Sequence, residues 1–184
     1  MRTLGLAALA IILAGCGKDG GSSYVDEFVG VLGTIEMPHA GPFGAKVTPD
    51  CSKLFVPLFG NYGVEGPGST VAVIDVATHA ILAEIAVGQR PEDVDFSPDG
   101  IYAYVTCSVS ATVSVIAVAS LSLVLTIPIG LAFDPNTFEG TYPYGISVQG
   151  GKAYVFCAAY FDGNDEHIKI IDVKFMDFPG LWQH

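Results

Sequence analysis

Apolar and polar positions alternate along most of this chain in short runs, each closed by a cluster of turn-forming residues. From Pro91 to Ser97, Val94 and Phe96 alternate with polar neighbours, the period-two pattern of a half-buried strand. Ser97-Pro98-Asp99-Gly100 follows, a proline that presets φ and a glycine that accepts positive φ, so the chain is expected to reverse into a second strand over Ile101 to Cys107. Thr112 to Val118 is rich in β-branched residues, and Leu121 to Ile129 continues the series until Gly130 closes it. The pattern predicts four consecutive strands joined by short turns.

The same order occurs on either side. The earlier copy predicts strands over Phe43 to Thr48, Leu54 to Pro57, Val71 to Val76 and Ala80 to Val87, and the later one over Tyr144 to Val148, Ala153 to Cys157, Ile168 to Val173 and a last segment near Phe175 to Phe178. Pro42, Pro91 and Pro143 open the three copies, 49 and then 52 positions apart. That period suits the blades of a β-propeller. The expected fold is therefore all-β, with about three four-stranded antiparallel blades over roughly 41–88, 89–130 and 142–184. Phe28 to Pro38 resembles the last strand of a blade that has no blade of its own. A closed ring needs more blades than three, so the chain is expected to be part of a longer propeller whose missing blades are C-terminal. Closure by homo-oligomerisation is the alternative.

Ser97-Pro98-Asp99-Gly100, Tyr104-Val105-Thr106 and Val113-Ser114-Val115-Ile116 resemble the YVTN-type β-propeller repeats. The first copy adds Val71-Ala72-Val73-Ile74-Asp75, and the third adds Tyr154-Val155 and Ile168-Lys169-Ile170-Ile171-Asp172. The resemblance covers Phe28 onward. Two departures stand out: the family's asparagine is matched by Cys107, Cys157 or Pro57, and its aspartate is kept as Asp75 and Asp172 but is Ala117 in the middle copy. The family includes surface proteins, transport-associated proteins and lactonase or dehydrogenase relatives, so the resemblance implies a fold without choosing an activity.

The N-terminus carries a different signal. Met1-Arg2 precedes an apolar run from Leu4 to Ala14, too short for a membrane span and right for a signal-peptide core. The run ends in Leu13-Ala14-Gly15-Cys16, which resembles the lipobox of bacterial lipoproteins and implies cleavage of residues 1–15 and lipidation of Cys16. Residues 16–27, with their glycines and serines, read as a flexible tether. The expected location is the bacterial cell envelope, exported and lipid-anchored. The formal charge of −11 leaves no basic patch for nucleic acid.

Candidate chemistry is sparse. Cys107 and Cys157 occupy equivalent places in neighbouring blades, too far apart to bridge, and Cys51 lies at the opposite end in a turn, so no intrachain disulfide is expected. No Cys-x-x-Cys occurs, and no cofactor or metal is expected. Asp162-Gly163-Asn164-Asp165-Glu166-His167 could bend around a calcium ion but lacks the full loop spacing, so a solvated acidic loop is the preferred reading. Gly145-Ile146-Ser147-Val148-Gln149-Gly150 misses the nucleophile-elbow spacing. Glu92 and Asp93 should point to opposite faces of a strand, wrong for shared acid–base work.

The longest loops follow second and fourth strands, which places them on one face. They carry aromatics beside carboxylates, among them Tyr62, Glu65, Phe133, Asp134, Tyr142, Tyr160, Asp162 and Asp165. Such a rim suggests recognition, and solvation of long loops is the competing explanation. The expected function is an envelope lipoprotein whose propeller binds a protein or surface polymer. A lactonase-like or quinoprotein-like enzyme, incomplete in this chain, is the alternative; its central channel would draw on Glu92, Asp93 and Asp95.

Overall fold

A computed structural model describes residues 33–38, 41–61, 67–137, 139–159 and 167–173. Among the described residues, eleven strands form three antiparallel sheets, each meandering in chain order. The first contains β1 (Lys46–Val47), β2 (Lys53–Gly60), β3 (Pro67–Asp75) and β4 (Ile81–Ala86). The second contains β5 (Pro91–Phe96), β6 (Tyr102–Cys107), β7 (Thr112–Ala117) and β8 (Ser122–Pro128), and the third β9 (Thr141–Gln149), β10 (Lys152–Ala159) and β11 (His167–Asp172). The predicted fourth segment of the third sheet, Phe175 to Phe178, lies outside the described residues. Of the expected N-terminal orphan strand, residues 33–38 carry no strand and 28–32 lie outside the described residues.

The sheets pack face to face through two cores. Phe55, Val71 and Val73 of the first sheet meet Val94, Val105 and Ile116 of the second, with Phe55 edge-on to Phe96 at a centroid distance of 5.2 Å. The other face of the second sheet, Tyr104, Val113 and Val115, meets Ile146, Val148, Ala153, Val155 and Cys157 of the third. Each fully buried Val or Ile contributes roughly 1.5–3 kcal/mol, so the alternation read from sequence is what holds blade to blade. Burial between the second and third sheets also pushes the Tyr104 hydroxyl up to about 12.

The turns between first and second strands follow from their residues. Thr48 Oγ1 donates to Asp50 Oδ1 at 2.5 Å, and Ser97 Oγ donates to Asp99 Oδ1 at the same distance. Asp50 is held down to about 2, chiefly by the Thr48 hydroxyl. Gly100 takes φ +74° in its turn, while Cys51 takes +60° at the corresponding place despite its side chain. Cys51 is disulfide-bonded, which overturns the expectation that it stays unpaired. Cys107 and Cys157 are both free and buried; the expectation weighed only pairings among Cys51, Cys107 and Cys157.

Registers correct one alignment. Pro91 faces Cys107, Pro143 faces Cys157 and Pro42 bridges Leu58. The residue matching the two buried cysteines in the first blade is thus Leu58, not Pro57.

Candidate functional site

The register also shows a device that alternation alone does not contain. Between Pro91 and Val94, two residues, Glu92 and Asp93, lie opposite the single residue Thr106; between Pro143 and Ile146, Tyr144 and Gly145 lie opposite Phe156. In the first sheet, Phe43, Gly44 and Ala45 fill the interval between the Pro42–Leu58 bridge and the Lys46–Phe55 pair. This is why the predicted strand over Phe43 to Thr48 shrinks to β1. A bulge therefore recurs at the same end of all three innermost strands and re-aims the residues it contains.

In the middle blade the re-aimed residues are acidic, and they separate. Asp93 reaches the next blade, where its Oδ2 accepts the Ile146 N–H at 3.1 Å; its own N–H is satisfied by Thr106 Oγ1 at 3.1 Å. Thr106 in turn donates to the Tyr144 carbonyl at 2.8 Å. Two residues on, Asp95 Oδ2 accepts the Val148 N–H at 2.7 Å, while its Oδ1 lies 3.1 Å from Lys46 Nζ of the preceding blade. Glycine is required beside this row: a Cβ on Gly44 would come within 2.7 Å of the Glu92 carbonyl oxygen. Asp93 and Asp95 are thus clasps between blades, and their oxygens are committed to backbone N–H groups.

Glu92 is only 2% exposed, and its carboxyl hydrogen-bonds Ser108 while Oε2 has no hydrogen-bond partner. Burial pushes its pKa up, with Ser108 and the nearby Arg90 guanidinium acting in the opposite sense. The Arg90 guanidinium lies over the Phe59 ring, 5.0 Å from its centroid, and Phe59 stacks on Phe43 at 5.1 Å. Phe43 is 62% exposed, so this stack of cation and two rings opens to solvent. Sequence reasoning missed this cluster. The available signal was positional, because Phe43, Glu92 and Tyr144 each follow the proline that opens a repeat.

The connections from fourth to first strands run beside the turn between β6 and β7. Ser108 N–H donates to the Arg90 carbonyl at 2.9 Å, Gln89 N–H to Ser110 Oγ at 2.8 Å, and Phe133 N–H to the Val109 carbonyl at 3.1 Å. Among the rim residues, Phe133 and Tyr142 come together at 5.6 Å between centroids, and Tyr142 is buried. Asp134 is exposed and caps its own loop, its Oδ1 accepting the Asn136 N–H at 2.8 Å. Tyr62, Glu65, Tyr160, Asp162 and Asp165 lie outside the described residues, as does Cys16. Among the described residues, no group of three or more His, Cys, Asp or Glu side chains is placed to hold a metal ion.

No protein-family model and no curated protein matches this chain. Solved structures do. Hydrazine synthase from Kuenenia stuttgartiensis aligns at 26% identity and a TM-score of 0.57, over 78% of this chain and 36% of that one. The β-propeller domain of Cps50 (Swd1) from Myceliophteria thermophila gives a TM-score of 0.57 at 11% identity, over 78% of this chain and 38% of its own. The fold is a β-propeller, open rather than closed. A protein of unknown function from Bacteroides caccae aligns at a TM-score of 0.52 and 17% identity, over 70% of this chain and 44% of that one. This propeller chain therefore spans less than half of each of these three structures, and the resemblance fixes its architecture rather than an activity.

Proposed function

We propose that the chain is a YVTN-type propeller lipoprotein of the bacterial envelope, anchored through Cys16, whose loop face binds a protein or a surface polymer. The observation that carries this reading is the exposed Phe43 ring, stacked on Phe59 beneath the Arg90 guanidinium at the end of the innermost strands where the bulges lie. A flat apolar surface with a fixed cation is a binding chemistry, suited to aromatic side chains or the faces of sugar rings. The enzyme reading loses support at the same place, since Asp93 and Asp95 are engaged by backbone N–H groups of the next blade. The resemblance to hydrazine synthase, itself an enzyme by name, extends to the fold. The anchor rests on the lipobox-like Leu13-Ala14-Gly15-Cys16 after an apolar core.

Two measurements test the parts separately. Metabolic labelling with a radioactive fatty acid should mark the native protein and fail with Cys16→Ser; labelling of that variant would refute the anchor. A photo-crosslinking amino acid at position 43 should trap a partner in intact cells, and one at Leu82, exposed on the outer strand β4, should not. Equal trapping at both sites, or none at position 43, would refute the loop-face reading.

A further inference from the structure

The internal repeat shows where the second blade departs from its neighbours. Lys53 lies opposite Asp75 in the first blade and Lys152 opposite Asp172 in the third, where the charged atoms are 3.7 Å apart; the second blade sets Tyr102 opposite Ala117 there. The departures continue around that end of the sheet, away from the bulges. Ile101 stands for Ser52, since their carbonyls accept the matching N–H groups of Val118 and Val76. Leu121 stands for His79, at φ +51° against +61°, while Leu125 stands for Ala83 and Thr126 for Glu84. From Gly100 to Phe133 the sequence holds no Asp, Glu, Lys, Arg or His, in a chain of formal charge −11. The fold does not require this. Asp75 Oδ1 secures its turn by accepting the Ala77 and Thr78 N–H groups at 3.0 and 2.7 Å, bonds that Ala117 gives up. Apolar side chains open to solvent take the place of the charges: Ile101 is 44% exposed, Leu123 41% and Leu125 37%. Asp99 in the adjoining turn is tied down, its Oδ1 accepting the Ser97 hydroxyl and the Ile101 N–H.

We propose that this outer corner of the second blade rests in the headgroup region of a lipid bilayer and so orients the propeller, an inference that rests on the anchor at Cys16. Blades stack through their faces, and both faces of the second blade are already packed by its neighbours. Its outer strand is therefore not a place for another blade. A bilayer suits the corner better than a protein does. The Ser120 and Ser122 hydroxyls bond each other at 2.7 Å, so the corner offers few of the polar groups that a specific protein interface pairs. Charges of either sign are costly to carry into a membrane, and the second blade lacks both the lysine and the aspartate of the repeat. The anchor makes the contact intramolecular: the chain from Cys16 to Glu36 reaches at most about 70 Å. Tethering at that range gives the bilayer an effective concentration on the order of millimolar. Three partly exposed aliphatic side chains then suffice to choose an orientation, although they would hold an untethered protein poorly.

The test uses the full lipidated chain reconstituted in vesicles of phosphatidylethanolamine and phosphatidylglycerol, doped with lipid brominated near the headgroup end of its acyl chains. In a Trp182→Phe background, the indole introduced by Leu123→Trp should be quenched, and that introduced by Phe43→Trp, on the loop face, should not. Ala117→Asp together with Thr126→Glu copies the charges of the first blade, which the same fold accommodates. That pair should abolish quenching at position 123 while the chain still floats with the vesicles. A floating chain whose position 123 goes unquenched would overturn the proposal and leave the anchor standing, as would equal quenching at positions 43 and 123 or quenching that survives the double exchange. A chain that does not float with the vesicles refutes the anchor, and the proposal falls with it.

Discussion

Asp95→Ala should loosen the joint that clasps three blades together, and the structure sets the size of the effect. Asp95 accepts the Val148 N–H at 2.7 Å and meets Lys46 at 3.1 Å, with its own side chain 14% exposed and that of Lys46 52% exposed. A hydrogen bond to a charged acceptor contributes about 1.5–3 kcal/mol, and its loss leaves a partly buried N–H unsatisfied. The ion pair, half in solvent, adds at most ~1 kcal/mol. Alanine should therefore cost about 2–3 kcal/mol. Asparagine keeps a neutral acceptor for Val148 and loses the ion pair and the charge assistance, so it should cost about 1 kcal/mol. Equilibrium urea unfolding reads both: with a slope of roughly 2 kcal/mol/M, the midpoint falls about 1 M for alanine and half as far for asparagine. Lys46→Ala in the wild-type and Asp95→Ala backgrounds isolates the ion pair, and raising salt should shrink only that component. If alanine changed stability by less than ~0.5 kcal/mol, or asparagine cost as much as alanine, the clasp would not be holding the blades.

Glu92→Gln tests the buried carboxyl. Its folded pKa lies above the unfolded 4.5, so its contribution is fully present below the unfolded value and is lost as pH rises through the folded one. Glutamine has no proton to lose, so the variant should gain stability on the wild type between pH 4 and pH 7 in urea titrations, and a difference independent of pH would refute the assignment. Tyr104→Ala and Tyr154→Ala alter one repeat position in two settings, 1% and 39% exposed: the first should cost about 3–5 kcal/mol and the second, measured on dilute protein, about 1 kcal/mol or less. Thiol counting on denatured, unreduced protein should find Cys107 and Cys157 reactive and Cys51 not; a reactive Cys51 would refute its bonding.

The strands were legible because period-two alternation and Pro, Asp and Gly turns are local. The observed strands lie within about four residues of their expected bounds; β1 is cut to Lys46–Val47 by the bulge before it, and β3 begins at Pro67 rather than Val71. A bulge is a property of two strands in register, and Glu92 and Asp93 read one at a time look like any pair on opposite faces. The same blindness misaligned Leu58. The aromatic rim was only partly legible: sequence named Phe133 and Tyr142, but burial of Tyr142 depends on how residues 131–141 fold against the β6–β7 turn. Phe43 was passed over because it lies inside an expected strand rather than in a long loop.

What the repeat keeps and what it varies then separates architecture from individuality. Leu54, Ala103 and Ala153 share one place, as do Val56, Val105 and Val155; in the second and third blades these residues face the preceding sheet and must be apolar. The innermost strands obey no such rule: Lys46, Asp95 and Ser147 are equivalent, as are Gly44, Asp93 and Gly145. A carboxylate at every bulge would set like charges against one another around the ring. One carboxylate between two glycines instead has room to reach the next blade, and one lysine before Asp95 draws the preceding blade to the same point. The three copies thus share a fold through their apolar positions and divide the labour of joining through their polar ones. Ser147 stands where Asp95 stands in the second blade, and it faces outward on the third blade beside Tyr154. It supplies no carboxylate to clasp a further strand.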